Sequence, residues 1–159
     1  MAKMTLEIGE EFAIKLSQLA DGSEEIAKKA IYQAAGIVTD QIRRNLEKNL
    51  SDSASAAKDG SARSKNQYNH PTGDLSRSLG ITPIQRDNDG YLNARVGFDG
   101  YDRRGVPNQL KARVMESGSS TIKKRPFVRP AVNATKAAAV QTMEKVVEEE
   151  IQKIMEGKS

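Results

Sequence analysis

From Ile26, apolar residues recur at every fourth position through Ala30, Ala34, Val38, Ile42 and Leu46 to Leu50, with Ile31, Ala35 and Ile37 widening the stripe. That spacing predicts one long amphipathic helix. Its cations Lys28, Lys29, Arg43, Arg44 and Lys48 fall on the polar face and read as solvated surface. Ahead of it, EEFAIKLSQLA from Glu10 to Ala20 reads as a separate short helix stopped by Asp21 and Gly22. Ser23 is then a good N-cap, with Glu24 and Glu25 in a first turn where the helix dipole favours anions. TLEIG, before Glu10, reads as a short strand.

Beyond Thr72 the period changes. Thr72 to Leu79 predicts a single capped helical turn, Gly80 to Arg86 a strand, DNDG a hairpin turn and Tyr91 to Phe98 the returning strand. In that strand Leu92, Ala94, Val96 and Phe98 alternate with polar partners. Pro83 cannot donate to a ladder, so its strand lies at an edge or begins after it. Gln109 to Glu116 predicts a short helix stopped by Ser117 and Gly118, followed by an exposed turn and an extended segment. Pro130 then opens a terminal helix running to about Met155. Val132, Ala139, Val140, Met143, Val147, Ile151 and Ile154 are expected on its buried side, with Glu148 to Glu150 opposite.

Two stretches lack such a pattern. Residues 51–72 contain no aliphatic side chain larger than alanine and cannot bury enough apolar area to set their own shape. They are expected to be flexible and to order on assembly; 99–108 is the second flexible segment. A third stretch, KKRPFVRPAV from Lys123 to Val132, places two prolines around Phe127, and that stiffness lowers the entropic cost of docking an extended segment. Positions 125, 127 and 129 share one face of a regular strand, so Phe127 either anchors the arm in its own core or meets a partner.

At 159 residues the chain is sized for one domain spanning 1–159. Aromatics make up only 4% and there is no tryptophan, so the core must be thin and built from aliphatic and alanine packing, which suits helix against sheet and favours self-assembly. The expected fold class is α+β: a long N-terminal helix and a C-terminal helix packed on a small, mostly antiparallel sheet, with long flexible loops. The absence of cysteine excludes a disulfide framework and thiolate chemistry. No signal-peptide pattern and no run of about 18 apolar residues occurs, so synthesis in the cytoplasm as a soluble chain is expected.

The net charge of +4 is unevenly spread: 7 cations against 9 anions in residues 1–57, 14 against 7 in 58–129, and 4 against 5 in 130–159. The basic middle favours a polyanion or an acidic partner surface. Candidate chemistry is sparse. His70, the only histidine, sits in the least patterned segment beside Pro71. Glu148, Glu149 and Glu150 splay about 100° apart on a helix and cannot converge on one metal. Asp87 and Asp89 belong to turn chemistry, and the GSS at Gly118 has no neighbouring base. Phosphate-loop, dinucleotide and zinc-protease motifs are absent. No catalytic, cofactor-binding or metal-binding residue is assigned, and an enzyme is not expected.

In order, TGDLSRSLGI, the hairpin to ARVGF, the helix LKARVMESGSS and RPFVRPAV before a terminal helix resemble the bacteriophage head-to-tail joining, or tail-completion, family of siphophages, small neck proteins similar to minor tail protein Z. The matching positions are Thr72, Gly73, Asp74, Leu75 and Ser78, then Glu116, Gly118 and Ser119, then Pro126, Phe127, Arg129, Pro130 and Ala131. Ser117 and Ser119 depart from it, standing where a bulkier residue and a threonine are common. The resemblance implies an α+β subunit of a ring, six subunits being the implied number, placed in the virion between capsid portal and tail tube. Its partners would be head-completion or connector proteins and tail-tube or tail-terminator proteins. On this reading Arg103, Arg104, Lys123, Lys124, Arg125, Phe127 and Arg129 face ring neighbours, acidic partner surfaces or genomic DNA in the channel. The other reading is a small basic nucleic-acid-binding protein using the same cations; against it stand the few aromatics for stacking and the lack of a helix-turn-helix or OB pattern.

Overall fold

A computed structural model describes residues 10–58 and 73–157. The elements are α1 (Glu10–Lys58), α2 (Asp74–Arg77), β1 (Leu79–Ile81), β2 (Gln85–Arg86), β3 (Leu92–Asn93), β4 (Val96–Phe98), α3 (Asn108–Ser117) and α4 (Val128–Met155). The fold is α+β. The two long helices run antiparallel, and the small antiparallel sheet region with α2 packs on α1. The expected strand at TLEIG, His70, Thr72 and residues 59–71 of the expected arm lie outside the described residues.

The expected break at Asp21 and Gly22 does not occur. α1 runs unbroken for 49 residues, about 73 Å at the rise of an α-helix. A glycine costs a helix interior only about 1 kcal/mol, and a helix already propagating on both sides pays no new nucleation. Ser23 does not cap: its hydroxyl donates back to the Ala20 carbonyl at 2.9 Å. At the other end α1 continues through residues 51–58, taking that part of the expected flexible arm.

The predicted long stripe is where the core forms. Ile26, Ala30, Ala34, Ile42 and Leu46 are buried, and Val38 and Leu50 are partly buried. Because a row spaced by four rotates about 40° per step, the stripe winds around α1. Ile42 and Leu46 join Leu75, Leu79, Phe98, Ala112, Phe127 and Ala131 in the main cluster. Ile26, Ala30 and Ala34 are buried outside it, along the length where α1 runs beside α4.

α4 follows the expected face only in part: Ala139, Val147, Ile151 and Ile154 are half-buried on it, but the rest of that row is turned out. Ala131, Thr135 and Val146 are buried, whereas Val132, Val140 and Met143 are 41%, 48% and 36% exposed. The buried row is small, and the buried threonine satisfies its hydroxyl on its own helix by donating to the Ala131 carbonyl at 2.7 Å. Thr39 on α1 does the same with Ala35. Small residues on both helices permit close approach, and the anchoring of Phe127 and Ala131 at the head of α4 sets which row turns inward.

The hairpin is interrupted. Leu79, Gly80 and Ile81 pair with Phe98, Gly97 and Val96, and Gln85 and Arg86 with Asn93 and Leu92. Three residues, 82–84, thus face two, 94–95, which is a bulge centred on Pro83. Across it, Thr82 N–H donates to the Arg95 carbonyl and Arg95 N–H to the Thr82 hydroxyl. The DNDG turn forms as expected, with Asp87 Oδ1 accepting from the N–H groups of Asp89 and Tyr91.

Residues 99–108, the second segment expected to be flexible, carry a set of internal hydrogen bonds. Asp102 N–H donates to the Val106 carbonyl, Gly105 N–H to the Asp102 carbonyl, and Asn108 N–H to the Gly100 carbonyl. The Asp102 carboxylate accepts from Arg104 and Val106 N–H and pairs with Lys111. Lys111, then the Val106 N–H, hold its pKa down at about 2.

Candidate functional site

The positions carrying the resemblance lie far apart in sequence, and most converge on one junction. Its centre is Glu116, in the last turn of α3. The Glu116 carboxylate accepts the N–H of Phe127 at 2.7 Å and of Val128 at 2.9 Å on one oxygen, and of Arg129 at 2.9 Å on the other. These are N–H groups that the start of a helix leaves without an intrahelical acceptor. Pro130, next in line, has none to satisfy. One side chain from α3 therefore caps α4 from outside, with its charge at the positive end of the helix dipole. Burial raises the Glu116 pKa, but the three N–H bonds and the Arg129 charge outweigh it and hold the group below its usual 4.5.

Two residues later, Gly118 has φ 79° and ψ 175°, a region open almost only to glycine. A Cβ there would sit 3.0 Å from Lys124 N and 3.1 Å from the Ile122 carbonyl. The chain turns so tightly because Ser119 N–H donates to Ile122 O while the Ser119 hydroxyl accepts from Ile122 N–H at 3.0 Å. The returning arm is then clamped along its backbone. Arg125 N–H donates to the Met115 carbonyl at 2.7 Å. From α1, the Asn49 and Asn45 side chains donate to the carbonyls of Arg125 and Phe127, both at 3.1 Å.

Phe127, offered by the sequence as a partner contact, is 0% exposed and meets Phe98 edge-on at a centroid distance of 5.8 Å. It belongs to this chain's own core, the first of the two roles open to it in the sequence. The arm's stiffness likewise serves an internal join: it fixes α4 to α1 and α3 of the same chain. It is also shorter than expected, because helix starts at Val128, so Arg129 does not share an extended face with Arg125. Ala131 is fully buried and Pro126 and Pro130 are exposed.

The first motif contributes to the same core. Leu75 is buried, and Gly73 opens α2 with φ 76°. The Ser78 hydroxyl donates to the Leu75 carbonyl at 2.8 Å. Asp74 faces Arg103 at 3.7 Å across an open groove of about 400 Å³ that Arg77 and Asn108 also line. Asn108 is buried and donates to the Asp99 carbonyl at 2.9 Å, while its Oδ1 has no partner among the described residues.

Of the remaining proposed contact residues, Arg103, Arg104, Lys123, Lys124, Arg125 and Arg129 are all exposed. The arm cations and Arg129 surround the junction, and Arg103 lies at the groove. Arg77 and Arg113, also exposed, extend the basic surface and were not singled out in the sequence. Asn45 and Asn49 were missed too; their signal was two amides one helical turn apart, each preceding a leucine of the stripe.

Comparison with models of protein families, with curated proteins and with solved structures found no match. Among the described residues no group of three or more His, Cys, Asp or Glu side chains is placed to hold a metal ion, and no helix is long and apolar enough to cross a membrane.

Proposed function

We propose that this chain is a structural virion protein of a long-tailed phage or prophage, a subunit that assembles as a ring at the head-tail junction and helps join or complete the tail. The observation that supports it is the junction itself. Glu116, Gly118 and Ser119 of the second motif and Pro126 to Ala131 of the third make one mechanical unit, and Leu75 of the first packs in the same core. The chemistry spent there is capping, close approach and burial, which serve a rigid subunit acting by shape and adhesion. Six copies to a ring, with connector or tail-tube proteins above and below, follow from the resemblance as part of the proposal.

The test is assembly. Purified chain, alone and mixed with tail-deficient heads and with tails, is followed by light scattering and electron microscopy. Rings, or particles joined only when the chain is present, are expected. Monomers under every condition would refute the reading.

The exposed cations favour a second reading, nucleic-acid binding as the primary activity. Titration of duplex DNA at two salt concentrations separates it: tight binding by the isolated chain that falls steeply with salt belongs to that reading.

A further inference from the structure

The antiparallel arrangement of α1 and α4 segregates charge along the molecule. Where residues 10–29 of α1 lie at the same end as residues 144–157 of α4, ten carboxylates meet five lysines. All five lysines are already paired: Lys15 with Glu11, Lys28 with Glu24 and Glu25, Lys29 and Lys153 with Glu150, and Lys145 with Glu149. Glu10, Asp21, Glu144 and Glu148 are left exposed, with no salt bridge among the described residues. Glu144 and Glu148 follow Val140 on one face of α4, beside Met143, and those two apolar side chains are among the most exposed of the helix.

The opposite end, about 42 Å away along the 28 residues of α4, has the reverse surplus. Arg77, Arg113, Lys123, Lys124 and Arg125 are exposed and make no salt bridge among the described residues. Three anions of that end are engaged: Asp74 with Arg103, Asp102 with Lys111, and Glu116 with the head of α4. The backbone carrying Lys123 to Arg125 is clamped, so these cations are presented from a fixed arm. Leu110 and Ile122, each 50% exposed, lie on the same helix and arm as these cations.

We infer that one copy of this chain docks head to tail on another, with the cationic α3 and arm surface of one against the acidic C-terminal half of α4 in the next. Each surface offers two exposed apolar side chains; the surplus charge is cationic on the arm and anionic on the C-terminal half of α4, with Lys136 just before that half and the paired Lys145 beside the carboxylates. A nucleic acid would use the cationic end only and be repelled by the other, whereas a second copy uses both. The contact joins two different surfaces, so it propagates beyond a dimer and closes as a ring or continues as a filament. This rests on the reading of the chain as an assembling subunit and names the contact it would use.

The test is sedimentation velocity of the full chain at low and high salt, with two double variants, Lys123→Glu with Lys124→Glu and Glu144→Lys with Glu148→Lys. All four side chains are exposed, and circular dichroism confirms the fold of each variant. Wild type is expected to form species larger than a dimer that dissociate as salt rises. Each variant loses at least about tenfold in association, and an equimolar mixture of the two regains it. Association unchanged in the variants, or no recovery on mixing, overturns the contact; rings that persist in either variant would still leave the assembly reading standing. A wild type that stops at a dimer overturns head-to-tail docking. One that stays monomeric while binding duplex DNA through Lys123 and Lys124 overturns the contact and assigns the basic end to nucleic acid.

Discussion

Replacing Glu116 tests whether α4 is held from outside its own sequence. In Glu116→Ala the N–H groups of Phe127, Val128 and Arg129 lose their shared acceptor. Loss of an N-cap costs about 0.5–2 kcal/mol, and a hydrogen bond to a charged group contributes about 1.5–3 kcal/mol. The three bonds share one carboxylate and do not add independently, and water can reach the exposed Arg129 N–H. A loss of about 2–4 kcal/mol is expected, a large part of the 5–15 kcal/mol typical of a domain. Glu116→Gln keeps one good acceptor oxygen and should lose about half as much, about 1–2 kcal/mol. The comparison also has a pH signature. The folded pKa of Glu116 lies below its ordinary 4.5, so the stabilisation is complete above pH 4.5 and is lost as pH falls through the depressed folded value. The gap between wild type and Glu116→Gln must therefore close on acidification, while the other carboxylates titrate alike in both and cancel. Urea unfolding followed by circular dichroism, at fixed chain concentration and a series of pH values, measures it. A Glu116→Ala variant within about 0.5 kcal/mol of wild type at neutral pH, or a gap that widens in acid, would refute the cap.

Three further outcomes are expected. Gly118→Ala forces a Cβ to 3.0 Å from the Lys124 backbone in a glycine-only region and should cost about 1–3 kcal/mol in the same assay. The exposure of Val132 predicts that Val132→Ala changes stability by no more than about 0.5 kcal/mol, whereas Ala131→Leu overpacks a fully buried position and loses about 1–3 kcal/mol; the reverse ranking would place the helix on its other face. The Asp102 carboxyl should titrate by NMR at about 2, below its ordinary 3.8, so its contribution persists above pH 3.8 and fades as pH falls through about 2. Because Lys111 is the largest cause, Lys111→Ala should move that midpoint up towards 3.8, and an unchanged midpoint would remove the ion pair from the account of the loop.

Repetition and local chemistry along the chain encode a definite part of this fold. The row from Ile26 to Leu50 specified a long helix and its buried stripe, the DNDG turn specified the hairpin, and Ser117 with Gly118 specified the end of α3. The sequence by itself could not decide whether Gly22 breaks α1, because a cost of about 1 kcal/mol is outweighed or not by whatever packs alongside. Nor could it choose between two rows of α4, since Val132, Val140 and Met143 are as apolar as the row that is buried. The tertiary structure chose the Ala131 and Thr135 row, because Phe127 and Ala131 are sunk in the core and Glu116 grips the first turn. Residues 116 and 127 look independent along the chain. Only the fold brings a carboxylate from one helix onto the N–H groups of another, because such a bond depends on distance in space and leaves no periodic trace in the sequence.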